Sequence, residues 1–247
     1  MQDTQRKNEI YKILFGSICP QGLTAKQIKK ADKIISSKKP LSAIFKTVHF
    51  FGFNFKVSKN VLAPRMETEL LCEAVIKQIK SSNIKTQARV LDLCCGSGCI
   101  AITIAKNTSA KVEAVDISNK ALEIARFNAK SLGADISFYN SNLFSNVKGE
   151  FDFIVSNPPY VETGNLGELT KYEPKIALDG GADGLHFYRR IARDAFTFLK
   201  SGGKMFLEIG AGQADQIVQM LTRCGFTDVE VSKDYSQIER IVICKKS

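Results

Sequence analysis

Apolar residues recur at helical spacing in the first part of the chain and then change rhythm. Ile10, Ile13 and Leu14 form one stripe within residues 5–15; Ile28, Ala31, Ile34 and Ile35 form another within 24–37. Thr24 with Gln27 matches a capping box at the start of the second helix, and Lys38-Lys39-Pro40 is the expected stop. Two short helices bury little by themselves, so this region reads as an appendage that docks on something. Phe50, Phe51, Phe53 and Phe55 crowd around Gly52, which predicts an extended hairpin over 48–57 with its phenylalanines packed in a core. Stacking of these rings on bases is the alternative. Leu70, Leu71, Ala74, Val75 and Ile79 then stripe a helix whose start carries Glu67 and Glu69, acidic residues suited to a helix amino end.

From residue 89 the rhythm alternates. Apolar strands are expected at 89–93, 111–115, 136–139, 151–155 and 204–209, with helices at 99–106, 119–132, 185–199 and 213–224 between them. Two late strands fall near Val229 and at 241–243. Strand-helix alternation demands a mostly parallel, doubly wound sheet, and the final strand pair adds an antiparallel edge.

Chemistry gathers where strands end. Cys94-Cys95-Gly96-Ser97-Gly98 makes a tight turn between strand and helix, where a ligand can approach the backbone and meet amide donors. Asp116 ends the next strand 18 residues after Gly98, placed to accept ribose hydroxyls. Asn157-Pro158-Pro159-Tyr160 follows the strand 151–155. Consecutive prolines forbid helix and ladder alike, so a side-chain amide, a proline carbonyl and an aromatic ring are fixed at the ligand-binding edge of the sheet.

Composition narrows the setting. No apolar run approaches the roughly 18 residues needed to span a bilayer, and the polar start Met1-Gln2-Asp3-Thr4 lacks a signal-peptide core. The seven cysteines form no paired C-x-x-C ladder, so neither a disulfide framework nor a metal site is supported, and a cytoplasmic setting is expected. Cys95 and Cys99 read as small loop and core residues. Of the net charge of +10, a surplus of nine lies in residues 1–63, where twelve Lys/Arg face three acidic residues. That front end points to an acidic partner such as RNA or an RNA-bound protein; a solvated lysine-rich face is the plain alternative.

The stretch 90–98, Asp116 and Asn157-Pro158-Pro159-Tyr160 resemble the class I S-adenosylmethionine-dependent methyltransferases that modify planar nitrogen. Pro64-Arg65-Met66-Glu67-Thr68-Glu69, Tyr172-Glu173-Pro174 and the run 177–185 are similar to the peptide chain release factor N5-glutamine methyltransferase family. The resemblance covers roughly Val48 to Ile243. It implies a seven-stranded, mostly parallel, doubly wound (Rossmann-like) methyltransferase sheet at 64–247, a small basic N-terminal helical domain at 1–47 for substrate recognition and a hairpin linker at 48–63. It also implies S-adenosyl-L-methionine as cofactor, with S-adenosyl-L-homocysteine as product. Cofactor binding falls to Cys94, Cys95, Gly96, Ser97, Gly98, Asp116, Ile117, Asn142, Leu143 and Asn157. Catalysis falls to Asn157, Pro158 and Tyr160. Substrate binding falls to Arg65, Glu67, Thr68, Asn157, Pro158, Pro159, Tyr160 and Glu173. The implied partner is a release factor, met by a monomer without a stable nucleic-acid partner or membrane. Where the family usually has glycine this chain has Cys94, and where it usually has proline it has Met66.

The implied reaction explains the absence of a catalytic histidine. Asn157 Oδ1 and the Pro158 carbonyl would accept both N–H bonds of a glutamine amide and stabilise positive charge growing on nitrogen. Tyr160 would cover the planar amide, and the methylated amide sheds its proton to water. Adenine-N6 methylation of DNA or RNA, glutamine methylation of a ribosomal protein, and a non-catalytic RNA-binding assembly module are the rival readings. Glu67 and Glu69 beside the active edge would repel phosphate, which disfavours nucleic acid.

Overall fold

In the computed structural model, which describes residues 2–15, 23–37, 39–82, 84 and 86–247, the chain divides into two units, Met1–Lys46 and Thr47–Ser247. The first holds α1 (Gln2–Phe15), α2 (Ala25–Ile35) and α3 (Leu41–Phe45). Its small core is Ile10, Tyr11 and Ala31, with Leu14, Phe15, Ile34, Ile35, Leu41 and Phe45 packed against them. Ile13, expected in the stripe, is half exposed, and Tyr11 takes the buried position instead. The capping box forms: Thr24 N–H donates to Gln27 Oε1 at 2.8 Å, and Gln27 N–H to Thr24 Oγ1 at 3.4 Å. The helix stops at Ile35, ahead of the expected Lys38-Lys39-Pro40 (Lys38 lies outside the described residues), as Ser36 Oγ turns back to the Asp32 carbonyl. Arg6 then donates to the carbonyls of Ser37 and Lys39, binding the following loop to α1.

In the second unit, β1 (Thr47–Phe50) and β2 (Phe53–Lys56) form an antiparallel hairpin. Its two-residue turn places both Phe51 and Gly52 at positive φ, the geometry that matches the twist of the flanking strands. Phe50 and Phe55 are fully buried in edge-to-face contact, 5.8 Å between centroids, so these rings are core.

The main sheet comprises β3 (Arg89–Leu93), β4 (Lys111–Asp116), β5 (Ile136–Asn140), β6 (Phe151–Ser156), β7 (Leu199–Glu208), β8 (Phe226–Lys233) and β9 (Glu239–Lys246), in the order β5-β4-β3-β6-β7-β9-β8. The first five run parallel; β9 is antiparallel to both β7 and β8. Alternation along the strands sorts side chains to two cores. Val90, Phe153, Val155 and Phe206 face α4 (Met66–Ser81), α5 (Cys99–Asn107) and α6 (Asn119–Leu132). Leu91, Leu93, Ile154, Met205 and Leu207 face α7 (His186–Phe198) and α8 (Ala214–Arg223). β7 begins five residues before its expected start. Ser201-Gly202-Gly203 reads as a turn, yet the chain stays in the sheet through a register shift between Phe151 and Phe153 of β6.

The chain leaves β3 toward β4 and β5, then returns to lay β6 on the other side of β3. That reversal opens a crevice at the carboxyl ends of β3 and β6. In the register of this pair Leu93 stands beside Ser156, so Cys94 and Asn157 leave the sheet side by side.

Candidate active site

The turn after β3 is built from left-handed residues: Cys94, Gly96 and Gly98 have φ of 61°, 52° and 79°. At Gly98 a Cβ would come within 3.1 Å of Ala125 Cβ, so this glycine lets α6 pack closely. Cys94 occupies a conformation that favours glycine, which accounts for glycine being the usual choice there. Beneath the turn Asp92 is fully buried and accepts from Ala101 N–H at 3.1 Å, tying β3 to the first turn of α5. Burial pushes the Asp92 carboxyl well above the ordinary carboxylate range. Burial also pushes the Cys99 thiol up to about 12, consistent with a core residue and not a reactive one.

Asp116 closes the turn from the side. Its Oδ2 accepts from Gly96 N–H at 2.9 Å and its Oδ1 from Ser118 N–H at 2.8 Å. Burial raises its carboxyl, while hydrogen bonds from the Ser118 and Gly96 amides oppose that. Each oxygen keeps acceptor capacity toward the crevice. After β5, Asn142 and Leu143 form the next wall. Asn142 Oδ1 is held by Arg190 Nη2 of α7 at 2.8 Å. The buried Asn128 of α6 joins the hairpin to the turn, bonding the backbone of Lys56 and the Ser97 carbonyl.

On the other side, Ser156 Oγ donates to the Leu93 carbonyl at 2.8 Å, locking β6 against β3. Asn157 Nδ2 donates to Thr68 Oγ1 of α4 at 3.2 Å, and Asn157 Oδ1 has no hydrogen-bond donor among the described residues. Pro158 and Pro159 are buried, and Tyr160 is half-buried, its phenol pushed up to about 12 by burial. The glycine-rich stretch 180–184 buttresses this corner. A Cβ on Gly180 would sit 2.7 Å from Tyr160 Cα, and one on Gly184 2.4 Å from Tyr160 O. Gln213 Nε2 also holds that carbonyl, at 3.1 Å. Tyr160 is therefore set by backbone clamps from two later segments.

These parts enclose a cavity of about 220 Å³. Of the residues expected at the site, Cys94, Cys95, Gly96, Ser97, Asp116, Ile117, Asn142, Leu143, Asn157, Pro159, Arg65 and Thr68 line it. Gly98, Pro158, Tyr160, Glu67 and Glu173 stand outside its lining. Glu173 instead accepts from Ala63 N–H and from Arg65 Nη2 at 2.6 Å, stapling the loop before α4. Further lining comes from residues 60–63, Ile176, Phe187 and Arg190, which carry no local signal in the chain, and from Pro64 of the motif before α4. Glu208 carried one: it is a lone carboxylate ending the apolar run of β7 at the same sheet edge.

Comparison with known proteins places this geometry. The methyltransferase small domain family matches residues 66–171. The release factor glutamine methyltransferase of Geobacter sulfurreducens is 39% identical over 90% of this chain and 76% of its own length. That of Thermodesulfovibrio yellowstonii is 41% identical over 85% of this chain and 77% of its own. Among solved structures, a methyltransferase from Pyrococcus furiosus superposes with a TM-score of 0.61 at 21% identity, covering 89% of this chain and 98% of that one, and so shares the fold. The identity and extent of these matches settle it: the chain belongs to the release factor glutamine methyltransferase family.

Proposed function

We propose that this protein methylates the side-chain amide nitrogen (N5) of the glutamine in the Gly-Gly-Gln motif of peptide chain release factors, and so acts on translation termination. The observation that carries the reading is the Asn157 carboxamide. Its nitrogen is engaged by Thr68, so its Oδ1 is left to accept at the carboxyl end of β6, beside the turn after β3.

The cavity suits S-adenosyl-L-methionine. It offers exposed backbone at Cys94–Ser97, an acidic side chain at Asp116 for a ribose diol, and an amide at Asn142 flanked by Ile117 and Leu143 for a base. When bound, that cofactor supplies an electrophilic methyl on a sulfonium whose departure yields S-adenosyl-L-homocysteine.

The protein's task is the nucleophile. A glutamine amide nitrogen is poor because its lone pair is delocalised into the carbonyl. Asn157 Oδ1 and the Pro158 carbonyl accept its two N–H bonds and favour the positive charge that grows as planarity is lost. The rigid Pro158-Pro159 pair holds both acceptors in place before reaction, which spares reorganisation. Tyr160, clamped by Gly180, Gly184 and Gln213, covers the amide against water. The methylated nitrogen is strongly acidic and releases its proton to water without a side-chain base. Arg65, at the mouth, contacts the substrate chain and is held there by Glu173, while the buried Thr68 acts on the substrate through Asn157.

Among the described residues no helix is long and apolar enough to cross a membrane. A release-factor substrate places the enzyme in the cytoplasm. The test is to incubate the protein with methyl-labelled donor and, separately, a release factor, RNA and DNA. Label in the factor's Gly-Gly-Gln glutamine is expected; label confined to nucleic acid would sink the reading.

A further inference from the structure

Glu208 ends β7 with 1% of its surface exposed. Leu207 pairs in register with Ser156, so Glu208 stands alongside Asn157 at the carboxyl edge of the sheet. Its Oε2 has no hydrogen-bond partner among the described residues. A buried carboxylate with an unsatisfied oxygen is costly, and such a group persists where it has work to do. Thr68 Oγ1 accepts from Asn157 Nδ2 at 3.2 Å, and the Thr68 and Asn157 side chains both lie near enough to the Glu208 carboxyl to favour its charged form.

We propose that Glu208 is a positioning residue for methyl transfer, fixing the Asn157 carboxamide together with Thr68 so that Oδ1 faces the substrate nitrogen. The inference rests on the glutamine reading of the site. A carboxylate only accepts, so Thr68 must direct its proton to Glu208 and its lone pair to Asn157 Nδ2. The chain of hydrogen bonds thus has one direction, from the asparagine amide to the glutamate. A protonated Glu208 can reverse it, donating to Thr68, which then donates to Asn157 Oδ1. The carboxamide would turn over and present donors to a substrate N–H that needs acceptors.

The direction therefore depends on pH. Burial pushes the Glu208 carboxyl up to about 7, hydrogen bonding from Thr68 opposes this, the Glu67 charge of α4 adds to it, and the Arg240 charge of β9 and hydrogen bonding from Asn157 oppose it. Tyr160, Tyr188, Cys72 and Cys99 also feel its charge, all with their neutral forms favoured by burial.

The experiment measures methylation of a release factor between pH 6 and 8.5 by wild type, Glu208→Gln, Thr68→Val and the double variant, together with S-adenosyl-L-homocysteine affinity. Wild-type kcat is expected to fall below a pH of about 7. Glu208→Gln, which resembles the protonated acid in carrying a donor, should sit about tenfold below wild type at pH 8 and lose that acid limb, with homocysteine-product affinity within about twofold. The double variant should lose less than the product of the two single losses, because the side chains act as one network. Wild-type kcat with an intact acid limb in Glu208→Gln overturns the inference, as does a loss matched by an equal loss of product affinity. A release factor left unlabelled by wild type overturns the glutamine reading and this inference together.

Discussion

Turning the Asn157 carboxamide over would exchange the site's acceptor for a donor while barely changing its shape, so in the proposed mechanism the reaction hangs on one rotamer. Thr68 holds that rotamer from α4. Replacing Asn157 with alanine removes one charge-stabilising hydrogen bond from the transition state, of about 3 kcal/mol, which lowers kcat by roughly two orders of magnitude or more. Product affinity, which the proposal assigns mainly to the turn after β3 and Asp116, should fall less. Single-turnover rates and equilibrium binding on the same preparation separate the two effects, and near-normal turnover would remove Asn157 from the mechanism. At this scale the sequence was informative only locally. Asn157 and Tyr160 announced themselves beside two prolines, whereas the partners that aim them lie far along the chain. Thr68 is 89 residues from Asn157, and Gln213 is 53 from Tyr160. Arg190, which holds Asn142, is 48 residues away from it. Periodicity and turn chemistry carry no information about such pairings.

At the scale of elements, the parallel order followed from strand-helix alternation, because that pattern admits few other packings. Where the reading fell short, local and tertiary signals disagreed. Ser201-Gly202-Gly203 has turn chemistry, yet β7 runs through it by a bulge, and α3 is too short for a periodic pattern to appear. The run 177–185 was visible as a motif, but its physical task appears only in space, where its glycines press on Tyr160. Gly184 has φ of 70° and no room for a Cβ beside the Tyr160 carbonyl. Gly184→Ala should cost about 1–3 kcal/mol in stability through backbone strain and lower kcat by displacing Tyr160. Gly164, with open space around it, is the control: Gly164→Ala should leave both unchanged. Thermal unfolding and kcat on this pair would count against the buttress if Gly184→Ala behaved like Gly164→Ala.

Across the whole molecule, charge is divided as the chemistry is. The body that carries the cavity is nearly neutral, whereas residues 1–63 hold nine of the ten net positive charges. On α2, Lys26, Lys29, Lys30 and Lys33 are exposed to solvent. Exposed charges interact over about 10 Å at 0.1 M salt and over much less as salt rises. If this face meets an acidic surface on the release factor, KM for the factor should climb several-fold between about 50 and 300 mM salt. Product affinity should stay within about twofold, because the donor cavity is enclosed by its own short-range contacts. Reversing Lys26, Lys29 and Lys33 to glutamate should raise KM at low salt and flatten its salt dependence, leaving kcat at saturating factor intact. A solvated lysine face without a partner predicts the opposite: KM flat in salt and indifferent to the reversal. Steady-state kinetics across that salt range would therefore decide whether the basic front end recognises the substrate or only keeps the protein soluble.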